Sequence, residues 1–205
     1  MKKIIGNRSS RLQLLRNIII IALLGLCVGK AVLNMMKIGD FYLLIAIAFL
    51  TVLIIFPITV FYYNCYWYIE DDKVKYLHLN DYFEKWIYAI LILFFGENNK
   101  FERQIAIKDI EKAELCVEKQ YVSYGFECYH IQIKITDNKG KIVIIDTNVN
   151  QKQKRILYNN LLLISNINNK IIVEDKLGIM EHLMDDREKL YNYIKERLNN
   201  YENNK

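Results

Sequence analysis

Proline occurs once in the 205 residues, at Pro57, and glycine only eight times. That scarcity leaves no Pro/Gly/Ser-rich linker to string modules together, and nowhere dense enough in glycine for a loop that cradles phosphate. The four cysteines, Cys27, Cys65, Cys116 and Cys128, lie far apart with no C-x-x-C pair, which argues against a zinc site or a disulfide framework. They read as small buried hydrophobes. The three histidines, His78, His130 and His182, are scattered, and Glu181 beside His182 does not make an H-E-x-x-H frame. Ser123 and Ser165 lack a nucleophile elbow. Asp71 with Asp72 and Asp185 with Asp186 stand where turns and helix caps favour aspartate. No catalytic, cofactor-binding or metal-ligating residue is assigned, and the chain reads as a non-enzyme.

The net charge is +5, and it is unevenly placed. Residues 1–40 hold seven Lys/Arg against the single acid Asp40, so the 21 basic and 22 acidic side chains that follow nearly cancel. A nucleic-acid binder carries its positive charge as a patch on the folded domain. Here the excess is N-terminal, which argues against a nucleic-acid partner.

Apolar residues crowd into the first third. Residues 17–36, NIIIIALLGLCVGKAVLNMM, are about long enough as a helix to cross a hydrocarbon core of roughly 30 Å. Lys30 lies toward the far end, where its stem can carry the ammonium to the headgroups near Lys37. Residues 41–63, FYLLIAIAFLTVLIIFPITVFYY, are uncharged throughout. Pro57 is tolerable in such a span once a neighbouring group takes up the carbonyl that it frees. Beyond it, Tyr62, Tyr63, Tyr66 and Trp67 are rings of the kind that settle at headgroup level, and so are read as interfacial anchors. KIGD alone separates the two segments, so they form an antiparallel hairpin. The leader lacks an A-x-A-like cleavage site, and a second span follows at once, which argues against a signal peptide.

Lys2, Lys3, Arg8, Arg11 and Arg16 precede the first span, against Lys37 in the turn. The positive-inside bias therefore places residues 1–16 in the cytoplasm and, after two spans, returns residues 64–205 to the same side. The expected location is the cell membrane with both termini cytoplasmic.

After Tyr68 the periodicity changes. YHIQIKITDNKGKIVIIDT alternates Ile131, Ile133 and Ile135 with polar neighbours and turns at residues 137–140, a β-hairpin. YWYIEDDKVKYLHL reads as another, turning at Asp71 and Asp72, and RQIAIKDIEKAELCVEKQYV is a third β region. Two helical patterns follow, NQKQKRILYNNLLLIS and DDREKLYNYIKERLNNY, the latter with Leu190, Ile194 and Leu198 in one stripe below a capping Asp185 or Asp186. The expected fold is a membrane hairpin followed by an α+β domain of antiparallel strands closed by a C-terminal helix.

This order, with the spacing of Ile105, Ile107 and Ile110 in IAIKDIEKAEL, resembles the bacterial pleckstrin-homology-like (PH-like) membrane proteins from about Tyr66 onward. The resemblance implies a PH-like fold and a non-catalytic role beside the membrane. Some small members of that group protect a bacteriocin producer from its own peptide, so the implied partners are the lipid bilayer and a bacteriocin peptide or a membrane protein. The alternative is an accessory subunit of a membrane transporter or membrane enzyme.

Residues 81–99 depart from the resemblance as an insertion between the second and third β regions. Its apolar run, Trp86, Ile87, Ile90, Leu91, Leu93, Phe94 and Phe95 among its members, has an aromatic entry and a polar exit. Two readings are open: core of the folded domain, or a membrane contact, since a helix of about ten residues reaches only about 15 Å, half a hydrocarbon core.

Overall fold

A computed structural model describes residues 3–63, 65–79, 81–96, 100–122, 126–147, 149, 151–169, 171–184 and 189–203, without the side chains of 61–63, 120–122, 126–128, 172, 202 and 203. The chain divides into two compact units: Arg8–Asn64 with His78–Phe101, and Met1–Asn7 with Cys65–Leu77 and Glu102–Lys205.

The first unit is helical. Helix α1 runs Arg11–Met35, opened by Ser10, whose hydroxyl accepts from the Gln13 N–H at 3.2 Å. It starts earlier than the apolar run because that cap lies upstream, so Arg11 and Arg16 are helical. Helix α2 runs Phe41–Tyr63. Asp40 begins it, its carboxylate accepting from the N–H groups of Tyr42 and Leu43 at 2.8 and 3.3 Å. Both α1 and α2 are long and apolar enough to cross a membrane. Helix α3, Tyr82–Phe95, belongs to this same unit and is capped at both ends. The Asp81 carboxylate accepts from the Glu84 N–H at 2.7 Å, and Gly96, at φ 81° and ψ −131°, takes a backbone conformation open to glycine that stops the helix.

The second unit contains two four-stranded sheets. In the first, β1 (Ile5–Gly6), β2 (Tyr66–Glu70), β3 (Lys73–Leu77) and β4 (Glu102–Ala106) are neighbours in that order, each pair antiparallel. Asp71 and Asp72 both take positive φ, 52° and 54°, which gives the β2–β3 hairpin the twist it needs. The second sheet is built from β5 (Ile110–Val122), β6 (Phe126–Asp137), β7 (Ile142–Thr147) and β8 (Ile172–Glu174), in the order β7-β6-β5-β8. At the β6–β7 turn the Asp137 carboxylate accepts from the Lys139 and Lys141 N–H groups at 3.0 and 2.8 Å.

One core joins both sheets to the helices that follow them, α4 (Lys154–Ile167), α5 (Ile179–Leu183) and α6 (Leu190–Asn203). Trp67, Val74 and Tyr76 enter it from the first sheet, and Ile131, Ile133 and Ile135 from the second, alternating as their spacing predicts. Leu157, Leu161 and Ile164 of α4 and Leu190 and Ile194 of α6 cover them, with Leu198 partly buried beside them. The α6 cap expected at Asp185 or Asp186 lies outside the described residues.

Two features depart from the expected architecture. Strand β8 pairs in parallel with β5. It does so because α4 is a crossover: β7 and β8 run the same way, and such strands need a helix or comparable length between them. The N-terminal segment, read as a plain basic leader, contributes β1, and Ile5 is fully buried in the core. Since β1 and β2 are paired, the chain leaves this unit for the hairpin and returns to it at adjacent strands.

Candidate functional site

The insertion is tied to α2 at its proline. Pro57 has no N–H to offer the carbonyl four residues back, so the Leu53 C=O is left without its helical partner. Two donors from α3 take it up: the Tyr82 hydroxyl bonds to the Leu53 oxygen, and the Trp86 Nε1–H donates to it at 3.3 Å. The Trp86 ring also lies against Phe56, with centroids 5.3 Å apart. Tyr82 and Trp86 stand four apart on one helical face, so a single docking brings both to the same oxygen. Tyr88, Ala89 and Ile92 are the buried residues of α3.

The opposite side of α3 is apolar and exposed. Phe83, Ile90 and Phe94 form one stripe, with Phe94 and Phe95 more than seven-tenths exposed. Of the residues read as membrane contacts, Ile90, Phe94 and Phe95 are therefore outward, Ile87, Leu91 and Leu93 are half-buried, and Trp86 is directed to α2.

Helices α1 and α2 pack through small residues. Gly25 and Gly29 form a G-x-x-x-G in the run GLCVG and are both buried. A Cβ on Gly25 would come within 3.0 Å of the Ala48 Cα and of the Thr51 side chain, and one on Gly29 within 3.0 Å of Leu44. That signal was readable in the sequence and was masked by the uniformly apolar segment around it. Away from this seam Ile19, Leu24, Ile54 and Ile58 are exposed.

The four anchors separate. Tyr62 and Tyr63 close α2, and their side chains lie outside the described residues. Tyr66 and Trp67 are strand residues: Trp67 is fully buried in the core, and Tyr66, 1% exposed, donates its hydroxyl to Glu102. Rings without exposed surface have none to offer a headgroup, so these two are packing residues. The aromatic run after α2 misled because part of it already belongs to β2.

Within the folded unit Glu102 accepts from both Tyr66 and Tyr68, each at 2.8 Å. Burial, and then the bond to Glu102, push the Tyr68 phenol up to about 12. On the second sheet Glu114 accepts from Lys112 at 2.7 Å and lies 3.4 Å from Lys134, and those bonds hold its carboxyl down at about 2. His182 is buried and stacked on Tyr193, ring centroids 4.1 Å apart and ring planes nearly parallel. His130 lies on β6 opposite Glu118, and His78 follows β3, so the histidines are not brought together. Among the described residues no three His, Cys, Asp or Glu side chains are grouped to hold a metal ion.

No protein-family model, curated protein or solved structure matches the chain.

Proposed function

We propose that this is a membrane-anchored binding protein, not an enzyme, whose folded unit works beside the bilayer on the cytoplasmic side. The observation that carries the reading is the apolar surface on the outside of all three helices of the first unit, Leu24, Ile54 and Phe94 being exposed on α1, α2 and α3 in turn. Surfaces of this kind on neighbouring helices call for lipid or a partner, since water leaves them unsatisfied. In this reading α1 and α2 span the membrane. Helix α3 enters one leaflet without crossing, its 14 residues covering about 21 Å. The positive-inside bias of the leader sets the orientation. The order of strands and terminal helix supports the PH-like interpretation, and protection against a membrane-active bacteriocin is the specific role that the resemblance to PH-like membrane proteins implies.

Spin labels at Ile90 and Phe94 of the full chain in liposomes test the anchoring. Greater accessibility to oxygen than to a water-soluble nickel chelate is expected. The reverse order would place α3 in water and end the half-span reading. Expression in a bacteriocin-sensitive bacterium, followed by challenge with membrane-active bacteriocins, tests the protective role. Growth no better than that of the empty-vector strain would retire that role and leave the anchoring reading standing.

A further inference from the structure

The four sheet edges of the folded unit are unequal. Strands β1 and β8 have two and three residues, too short to template another strand, whereas β4 and β7 have five and six. Each of the longer two is last in its sheet and, among the described residues, bonds no further strand on its outer side. Both line one cleft of about 600 Å³, walled on one side by the whole of β4 and on the other by the β6–β7 turn and Val143.

The register shows which backbone groups face the opening. The Ile107 N–H donates to the Asp72 oxygen and the His78 N–H to the Phe101 oxygen, so the bonded pairs fall on odd-numbered residues of this stretch, Arg103 and Ile105 included. The N–H and C=O groups of Glu102, Gln104 and Ala106 therefore point away from β3, along the open edge. Ile105, Val143 and Tyr76 supply apolar lining. Among the charged residues the acids are largely engaged: Glu102 accepts from two tyrosines, and Asp137 from two amides of its own turn. Arg103, Lys139 and Lys141 are exposed, with no ion pair among the described residues, and Asp109 is the remaining acid of the lining.

We propose that this cleft binds an extended acidic peptide, which adds to β4 as a fifth strand with its backbone on Gln104 and its carboxylates toward Arg103, Lys139 and Lys141. Main-chain bonds to the open edge would supply affinity, and alternate side chains would set the choice of peptide. Five residues of β4 offer about 17 Å of edge, enough for a segment of about five residues. The proposal deepens the binding reading above and is independent of where α3 lies.

Fluorescein-labelled acetyl-(Glu-Val)3-amide and acetyl-(Lys-Val)3-amide are titrated against the full chain in nanodiscs and followed by anisotropy. The glutamate peptide is expected to bind and the lysine peptide to bind at least about tenfold more weakly. Gln104→Pro removes an amide from the open edge without touching the ladder to β3, and is expected to weaken the glutamate peptide about tenfold or more, whereas Gln104→Ala changes it less than about threefold. Should Gln104→Pro disturb folding, N-methylation of alternate amides in the peptide makes the same test on the wild-type chain, one of the two alternations losing binding. The combined R103E, K139E and K141E variant is expected to reverse the preference to the lysine peptide. Three results would overturn the proposal: no binding of the glutamate peptide, equal binding of both peptides, or binding indifferent to N-methylation in either alternation. The last would move the peptide to another surface and leave the protein a binding protein; none of the three bears on the spin-label test.

Discussion

The Leu53 carbonyl is the point at which one substitution separates cause from coincidence. If α3 is held because Pro57 frees that oxygen, removing the donors must loosen α3, and restoring the N–H at position 57 must make their removal matter less. Tyr82→Phe deletes the hydroxyl while the Trp86 bond at 3.3 Å remains, and losing one of two neutral donors costs about 1 kcal/mol, or about fivefold in the undocking equilibrium. Trp86→Phe keeps a ring against Phe56 and deletes the other donor. The double variant strands the oxygen in apolar surroundings, a loss of about 2–3 kcal/mol, or about thirty- to 150-fold. Pro57→Ala gives Leu53 a helical partner, so in that background the double substitution should cost less than about 1 kcal/mol. Hydrogen exchange of the Tyr82–Phe95 segment, read by mass spectrometry in nanodiscs, reports the undocking equilibrium. Equal acceleration with proline and with alanine at position 57 would refute the reasoning, because the donors would then be serving something other than the freed carbonyl.

Three further outcomes follow from the packing and the electrostatics. Gly25→Leu should lower the thermal midpoint of the reconstituted protein, at about 1–3 kcal/mol for forcing α1 from α2, while Gly39→Ala, with no atom within 4 Å of its Cβ, should leave it unchanged. Asp72→Gly should raise stability by about 0.5 kcal/mol, measured as a rise of one or two degrees, because glycine takes the φ of 54° without strain. Glu114 is held at about 2 when folded, below its ordinary value of 4.5, so its contribution is present above about pH 4.5 and is lost as the pH falls toward 2. Glu114→Gln should therefore cost about 1 kcal/mol at pH 7 and progressively less as the pH falls through 2, and a midpoint-against-pH curve that does not converge toward wild type in acid would contradict the pairing with Lys112.

Part of this fold follows from nearest neighbours along the chain alone. Apolar runs of sufficient length specify α1 and α2, period-two alternation specifies β6 with Ile131, Ile133 and Ile135 inward, and four-residue spacing specifies α6 with Leu190 and Ile194 buried. Strands β1 and β8, of two and three residues, and the five-residue helix α5 were not legible, because each is too short to show the period of its own kind of element. Their existence comes from partners far along the chain: Ile5 opposite Trp67, and Val173 beside Ala113. The same limit explains the aromatic residues. Tyr66 and Trp67 follow α2 closely enough to pass for headgroup anchors, and only the pairing of β2 with β1 and β3 turns them into packing residues. Composition could say that Pro57 frees a carbonyl; it could not say that Tyr82 and Trp86 would supply the donors, or that β4 and β7 would end their sheets at a shared cleft. Local periodicity is carried by covalent neighbours, whereas the partner of an unsatisfied backbone group is chosen in space, among residues that the chain brings near only when it is folded.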